Sequence, residues 1–176
     1  MPAPPIPYFW NVTDVASAAL LNAQLYQGLT HFLNPPRFQG YGSTNQTIAT
    51  GATFVSCSLD TEIIDSENGH SNTTNNSRYV VQVPGTYQCM ASVGFAANAT
   101  GNRAVRVSVN GAAVQGSQLA QGSAGANSWY GIATAWVALG VGDYVECQAW
   151  QNSGGNLTTN GGAQTGPTLT CLWYSN

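Results

Sequence analysis

The chain has 176 residues, only 6% of them charged, and a formal net charge of −3. Its basic side chains are four arginines, with no lysine. This excludes nucleic acid as a partner, because phosphates need a basic surface. No stretch approaches the roughly eighteen apolar residues of a membrane-spanning helix, which excludes membrane insertion.

The first segment, residues 1–12, is rich in proline and aromatic residues. Its proline run cannot form a helix or pair regularly in a sheet, so we predict an extended docking peptide. Such a stiff peptide with aromatic side chains is suited to docking into another protein, and packing of the rings onto the next helix is the alternative. The docking contacts would come from Pro5, Tyr8, Phe9 and Trp10.

Residues 13–34 predict a helix that Thr13 or Asp14 caps and that ends at Asn34, before two prolines. Apolar residues recur in it at alternating spacings of three and four, as in a short coiled coil. Because this face lacks charged flanks, we interpret the helix as an oligomerisation stem. Folding of the helix back onto the rest of the chain is the alternative. The stem contacts would come from Ala18, Leu21, Leu25 and Phe32.

The remainder predicts a polar linker at residues 35–50 and an all-β domain at residues 51–176. Short runs of alternating polarity recur between turn signals, which is typical of an antiparallel sandwich. Asn110 and Gly111 form the strongest of these signals and predict a hairpin. The predicted strands are residues 52–59, 79–83, 86–95, 103–110, 112–119, 129–139, 144–151 and 169–174.

Residues 79–95 carry the clearest strand pattern. Pro84 and Gly85 predict a tight turn between two strands, which we expect to form a hairpin. After the turn, alternate residues define one apolar face. They are Tyr87, Cys89, Ala91, Val93 and Phe95.

The most polar stretch is residues 60–77. We predict a turn-rich surface loop, because asparagine, aspartate and glycine there can bond the local backbone. A calcium site at Asp60, Asp65 and Glu67 is the alternative, although the spacing of an EF-hand is absent. We therefore expect no metal or other cofactor.

The four cysteines lie in predicted strands, where a free thiol packs as a small apolar group. No spacing among them is typical of a metal site, and disulfides would need an oxidising compartment. The four are Cys57, Cys89, Cys147 and Cys171.

No catalytic constellation is present in the sequence, and we expect no catalytic residues and no enzymatic activity. His31 falls in the predicted helix and His70 in the polar loop, and the common nucleophile, zinc and phosphate motifs are missing. Neutral hydrogen-bonding residues and tryptophans are abundant, which suits contact with carbohydrate or another protein. Trp129 and Asn156, beside glycine-rich loops, are the candidate surface contacts.

Three short motifs follow one another along the chain. They are Ile64-Asp65, Asn68-Gly69, Tyr79-Val80, Val83-Pro84-Gly85 and Tyr87, then residues 141–147, then residues 169–174. In this order they resemble the jelly rolls of the complement 1q and tumour-necrosis-factor family, except that Cys171 and Leu172 replace the usual glycine and phenylalanine. The resemblance covers residues 38–176 and implies a mainly β, antiparallel jelly-roll sandwich of about 8 to 10 strands that forms a homotrimer.

A second set of positions extends the pattern to the start of the chain: Trp10, Ala18-Ala19, Leu21-Asn22, residues 32–36 and residues 110–116. These positions resemble small structural proteins from tailed phages of actinobacteria, which join such a helix to a jelly-roll domain. The basic residues usual midway through the helix are replaced by Gln24, Tyr26 and Gln27.

This second resemblance implies a structural protein of the virion, assembled in the bacterial host cytoplasm. We expect a trimeric surface protein of the tail tip or fibre that binds other virion proteins and adheres to a host cell-surface glycan. A capsid decoration protein is the first alternative. A carbohydrate-binding, lectin-like module is the second.

Overall fold

Two antiparallel β-sheets face each other across one apolar core in the computed structural model, which describes residues 5–51, 53–125 and 127–176. In chain order the strands are β1 (Arg37–Tyr41), β2 (Thr47–Ile48), β3 (Val55–Ser56), β4 (Thr61–Asp65), β5 (Arg78–Val80), β6 (Gly85–Phe95), β7 (Asn102–Val109), β8 (Ala112–Gly122), β9 (Trp129–Leu139), β10 (Tyr144–Gln151), β11 (Leu157–Thr158) and β12 (Thr168–Ser175).

The strand order shows a jelly-roll sandwich. The first sheet runs β4-β1-β12-β6-β9, and the second runs β3-β10-β7-β8, with β5 also paired to β10. Strands β2 and β11 form a separate two-stranded pair. Neighbours in both large sheets are antiparallel, so the predicted fold class is confirmed for the described residues.

The buried face of β6 is the one that the alternating sequence predicts. Each of its five residues is at most 2% exposed: Tyr87, Cys89, Ala91, Val93 and Phe95. The four cysteines are also buried and free, as the apolar interpretation predicts. Burial of alternate side chains against the second sheet therefore holds the sandwich together.

The predicted hairpin at residues 79–95 is wrong, although its strands exist. Strand β5 pairs with β10 in the second sheet, whereas β6 pairs with β9 and β12 in the first. Pro84 and Gly85 thus carry the chain from one sheet to the other. A side chain at residue 85 would collide with the indole of Trp173 and the carbonyl of Ser175. Alternation shows which face of a strand is buried but not which strand lies beside it.

Three other boundaries need correction. The expected linker at residues 35–50 contains β1 and β2, and Phe38 in β1 is fully buried. The expected loop at residues 60–77 begins with β4, which pairs with β1. The expected strand at residues 52–59 is regular only at Val55–Ser56. The sequence did not indicate β1 and β4 because both stretches are rich in polar residues. They pair with each other at one edge of the sheet, where one face of each strand stays partly exposed.

The N-terminal helix extends from Ala18 to Leu33. It consists of α1 (Ala18–Leu21), a π-helical turn (Asn22–Gln27) and α2 (Gly28–Leu33). Its N-cap is Ser17, whose hydroxyl accepts the backbone N–H of Leu20 at 3.2 Å, so the predicted start near residue 13 is wrong. The wider π-helical turn also shifts the three-and-four spacing of the apolar face. Among the described residues, no helix is long and apolar enough to cross a membrane.

The hairpin between β7 and β8 confirms the prediction from Asn110 and Gly111, whose φ angles are 52° and 79°. Both lie in the left-handed region, which β-carbon-bearing residues adopt at a cost of roughly 1–2 kcal/mol.

We expect Gly111→Ala to lower the free energy of unfolding by about 1 kcal/mol, measured by urea denaturation. A matched control is Gly122→Ala, where φ is ordinary and the nearest atom lies 3.8 Å from the added carbon. Equal effects of the two variants would contradict the strain argument.

Candidate functional site

The three proposed calcium ligands are not brought together. Asp60 precedes β4 and accepts hydrogen bonds from the backbone N–H (2.7 Å) and hydroxyl (2.9 Å) of Ser43. Partial burial opposes the charge of Asp60, but these bonds outweigh it and hold the pKa of the carboxyl below its ordinary value. Asp65, at the far end of β4, accepts the N–H groups of Glu67, Gly69 and His70 at 2.8–3.3 Å.

These contacts are those of turn-forming carboxylates. Across residues 5–51, 53–125 and 127–176, no three or more His, Cys, Asp or Glu side chains are arranged to hold a metal ion. The arrangement therefore gives the calcium hypothesis no support.

Both histidines are packed against aromatic rings. The buried imidazole of His70 lies 2.8 Å through Nδ1 from Glu62 and 3.2 Å through Nε2 from the carbonyl of Asn76, and its ring centroid is 4.9 Å from that of Phe38. His31 packs edge-on against Trp173 at 4.4 Å. These contacts position structural elements. The absence of catalysis remains a prediction.

The buried carboxylate of Glu146 also positions structural elements. It lies on β10, 4% exposed, and accepts hydrogen bonds from the hydroxyls of Ser56 (2.9 Å) and Ser77 (2.8 Å). The guanidinium of Arg78 is 3.7 Å away. Glu146 therefore ties two segments to β10, since each hydroxyl belongs to a segment running beside that strand.

Most of the scarce positive charge is also engaged within the fold. Arg103 is 1% exposed and donates to the carbonyls of Asn98 and Thr100. Arg106 donates to Gln148 at 2.8 Å and lies 3.9 Å from the ring centroid of Phe54. These two arginines therefore contribute little free cationic surface.

The proposed surface role of Trp129 is wrong. Its side chain is 4% exposed, and its ring centroid lies 5.9 Å from that of Phe95 in the core. Strand β9 buries its odd-numbered residues at this end, so position 129 faces inward with Ala133 and Ala135. Asn156 is exposed in the segment before β11, as the surface interpretation requires. The two residues therefore do not form a shared contact surface.

The stem helix exposes the apolar face that its sequence predicts. Leu25 is 56% exposed and Phe32 is 81% exposed, and Ala18 and Leu21 also face solvent. Sequence reasoning missed additional exposed apolar residues on this helix. They are Tyr26, Leu29 and Leu33. We call the exposed set Ala18, Leu21, Leu25, Leu29 and Phe32 the stem seam.

The opposite face of the helix is covered by the chain's own N-terminal segment. The side-chain amide of Gln24 donates to the carbonyl of Ile6 and accepts the N–H of Tyr8, both at 3.0 Å. The Tyr8 hydroxyl donates to Asp14, which lies before the helix. Of the two alternatives for this segment, the structure shows packing on the helix, although Phe9 remains 84% exposed.

A second apolar surface covers the outer side of the first sheet. Its large residues are interspersed with Gln88, Thr134 and Thr170, and directly opposed strand positions bring them onto one side. Trp136 is 56% exposed and packs edge-on against Tyr174 at 4.9 Å. We call this set the uncharged face: Met90, Tyr130, Ile132, Trp136, Leu172 and Tyr174.

The signal for the uncharged face was present in β9. Residues 129–139 place Trp129, Ala133 and Ala135 on one side but Tyr130, Ile132 and Trp136 on the other. A strand with large apolar residues on both sides has no polar side to expose. Such a pattern is typical of a strand whose outer side is covered by a partner.

Comparison with solved structures shows the same fold. The globular domain of zebrafish complement 1qA is 14% identical and matches over 80% of this chain and 99% of that chain, with a TM-score of 0.55. Eiger TNF from S. frugiperda is 12% identical over 80% of this chain and 95% of its own, with a TM-score of 0.54. Murine APRIL is 12% identical over 79% of this chain and 98% of its own, with a TM-score of 0.57.

The domain is therefore a jelly roll of the complement 1q and tumour-necrosis-factor type. At these identities the likeness describes the fold and leaves the function to the surfaces. No protein-family model and no curated protein matches the chain.

Proposed function

We propose that the protein is a non-enzymatic structural module that self-associates as a homotrimer. The observation that carries this proposal is the exposed stem seam, together with the exposed apolar residues on the outer side of the first sheet. Soluble proteins rarely leave large contiguous apolar patches in water, and such patches commonly mark interfaces. The resemblance to trimeric jelly rolls supports three copies.

The energetic argument is strongest for the stem. An isolated helix of this length is marginally stable in water, so its stability must come from packing of an apolar face. Full burial of a leucine or phenylalanine contributes about 1.5–3 kcal/mol. Leu21, Leu25, Leu29 and Phe32 therefore offer a sizeable association free energy that the isolated chain does not use.

The uncharged face has the composition of an interface core. Charged residues are depleted there, whereas tryptophan, tyrosine and methionine are enriched, as in the buried centres of protein interfaces. Packing of this face between copies would hold the β domains together above the stem. The protein would then present a rigid head with three equivalent outer surfaces.

We place this module in the virion of a tailed phage, as a surface protein of the tail tip or fibre with an adhesive role. Support comes from the N-terminal resemblance, with Trp10, Leu21-Asn22 and the proline-terminated helix. Three copies of a weak contact give avidity to a cell-surface glycan that one site lacks. A capsid decoration protein has the same architecture and differs in its copy number, which would be in the hundreds per particle.

The lectin-like alternative has lost its main support. Its proposed contact, Trp129, is buried, and the exposed aromatic residues of the uncharged face are better accounted for by self-association. Labelled imaging of purified virions tests the proposed location directly. A protein absent from the particle would contradict the virion role without affecting the trimer.

The trimer is tested by placing a charge in the stem seam. We expect Leu25→Asp to convert the trimer to a monomer at micromolar concentration in analytical ultracentrifugation, because a carboxylate in an apolar seam loses hydration without gaining a partner. Gln27→Asp is the matched control, since Gln27 is exposed on the same helix outside the seam. A wild-type chain that sediments as a monomer would refute the proposal.

A further inference from the structure

Two of the four cysteines lie side by side in the first sheet. Cys89 on β6 is directly opposite Cys171 on β12 in the antiparallel register. Residues that are directly opposite in such a ladder point to the same side of the sheet, with α-carbons about 4.5–5.5 Å apart. Both side chains are fully buried, so both thiols face the core. A disulfide needs α-carbons about 4.4–6.8 Å apart, and this pair meets that requirement.

The other two cysteines form a matching pair in the second sheet. The register of β3 and β10 pairs Ser56 with Gln148, so the next step along both strands places Cys57 opposite Cys147. The backbone N–H of Cys57 donates to the carbonyl of Cys147 at 2.8 Å, which confirms that the two residues are neighbours. A hydrogen bond between their side chains, and then burial, raises the pKa of Cys147, so the two thiols are in contact.

The sandwich disfavours every other pairing of these cysteines. Any other combination joins a cysteine of one sheet to a cysteine of the other. The inner faces of two packed sheets are about 10 Å apart, whereas α-carbons more than about 7 Å apart cannot be bridged unless the backbone moves. Of the connectivities that four cysteines allow, the fold therefore leaves one.

We propose that the two pairs are disulfide sites, and that Cys57 bonds to Cys147 and Cys89 to Cys171 when the chain folds in the presence of oxidised glutathione. In each pair, one thiolate attacks a sulfur of the oxidant, which forms a mixed disulfide and releases one glutathione. The second thiolate of the pair then displaces the other glutathione. Each pair thereby gives up two electrons and two protons, and the oxidant is reduced to two thiols.

The reaction belongs to folding rather than to the finished domain. All four thiols are fully buried, and burial contributes to the raised pKa of Cys147 and Cys171. The thiols of the folded domain are therefore shielded from the oxidant and protonated at neutral pH. Oxidation also gives up one weak bond, from the thiol of Cys147 to the carbonyl of Ser92 at 3.5 Å. In return, each disulfide closes a loop of about 80–90 residues, which restricts the unfolded chain and stabilises the fold.

The test uses the full-length chain, reduced, unfolded and then refolded with reduced and oxidised glutathione. We expect no thiol to react with iodoacetamide after denaturation, and an intact mass about 4 Da below that of the reduced chain. Chymotryptic cleavage after Trp150 separates Cys147 from Cys171, so peptide mapping identifies the partner of each. The melting temperature should rise by at least about 10 °C over that of the reduced chain. Four reactive thiols, a different pairing or an unchanged melting temperature would overturn the proposal.

Two double variants isolate the effect of the register. Cys57→Ala with Cys147→Ala keeps the pair on β6 and β12, and it should still form one disulfide. Cys57→Ala with Cys89→Ala keeps two cysteines in different sheets, and its yield of disulfide within one chain should be at least several-fold lower. Non-reducing denaturing electrophoresis separates bonds within a chain from bonds between chains. Equal yields would contradict the proposal, and the peptide map of the unmodified chain remains decisive if either variant fails to fold.

Discussion

Phe38→Ala is expected to lower the free energy of unfolding by about 3–5 kcal/mol, because the cavity adds to the lost burial of the ring. Phe38 is fully buried on β1, and its ring stacks on Tyr79 with centroids 4.9 Å apart and planes inclined by 10°. The ring also packs on His70 at 4.9 Å. The ring therefore packs β1 against β5 and the turn after β4, so its removal should destabilise both sheets.

The measurement is urea denaturation followed by tryptophan fluorescence. Phe9→Ala is the matched control, since that ring is 84% exposed and its removal should change stability by no more than about 0.5 kcal/mol. A Phe38→Ala effect as small as that of the control would mean that β1 is a linker, as the polar composition of residues 35–50 suggests.

Stability is expected to fall steeply at alkaline pH. Burial raises the pKa of Tyr79 and Tyr87 in the folded chain above the ordinary value of about 10, so above that pH only the unfolded chain loses these protons. The stabilisation is complete below pH about 10 and is lost as the pH rises towards the folded values. Within that pH window, each of these groups lowers the free energy of unfolding by about 1.4 kcal/mol per pH unit.

Two thiols start the decline earlier. The hydrogen bond with Cys57, and then burial, raises the pKa of Cys147, and burial with the neighbouring Cys89 raises that of Cys171. An unfolded thiol ionises near pH 8.5, so the loss begins there. We expect the free energy of unfolding, measured by denaturant titration, to be constant from pH 7 to 8. It should then fall by several kcal/mol by pH 11.

Tyr79→Phe removes one of the titrating groups and should flatten the slope above pH 10. Tyr26→Phe is the control, because the Tyr26 side chain is 70% exposed on the stem helix and lies outside the stem seam. If both variants follow the wild-type curve, the buried phenols do not control alkaline unfolding. The thiol contribution is checked separately with Cys147→Ser.

The two apolar surfaces give one physical account of the molecule. Arg103 and Arg106 are engaged in internal contacts, and both histidines pack against aromatic rings. Large apolar side chains remain exposed on the stem and on one sheet. These surfaces are the ones through which we propose that the protein associates.

Some elements were predictable from the sequence because the determining forces are local. Strands β9 and β10 begin and end at the predicted residues, and Asn110 and Gly111 adopt the left-handed angles that their dipeptide favours. The buried face of β6 follows from alternation alone. The exposure of Leu25 and Phe32 on the stem also agrees with the sequence pattern, although the π-helical turn between them changes the spacing.

Other features needed the tertiary structure. Partner choice put β5 and β6 in different sheets, and a polar stretch became β1 because it pairs with both β12 and β4. Trp129 faces inward, whereas Trp136 is exposed. The two hydrogen bonds between the Gln24 side chain and the backbone of Ile6 and Tyr8 join positions far apart in the chain. The sequence by itself determined periodicity, turns and the uncharged character of the surface, because each arises from neighbouring residues. Only the fold decided which segments meet, because pairing free energies depend on contacts between residues distant along the chain.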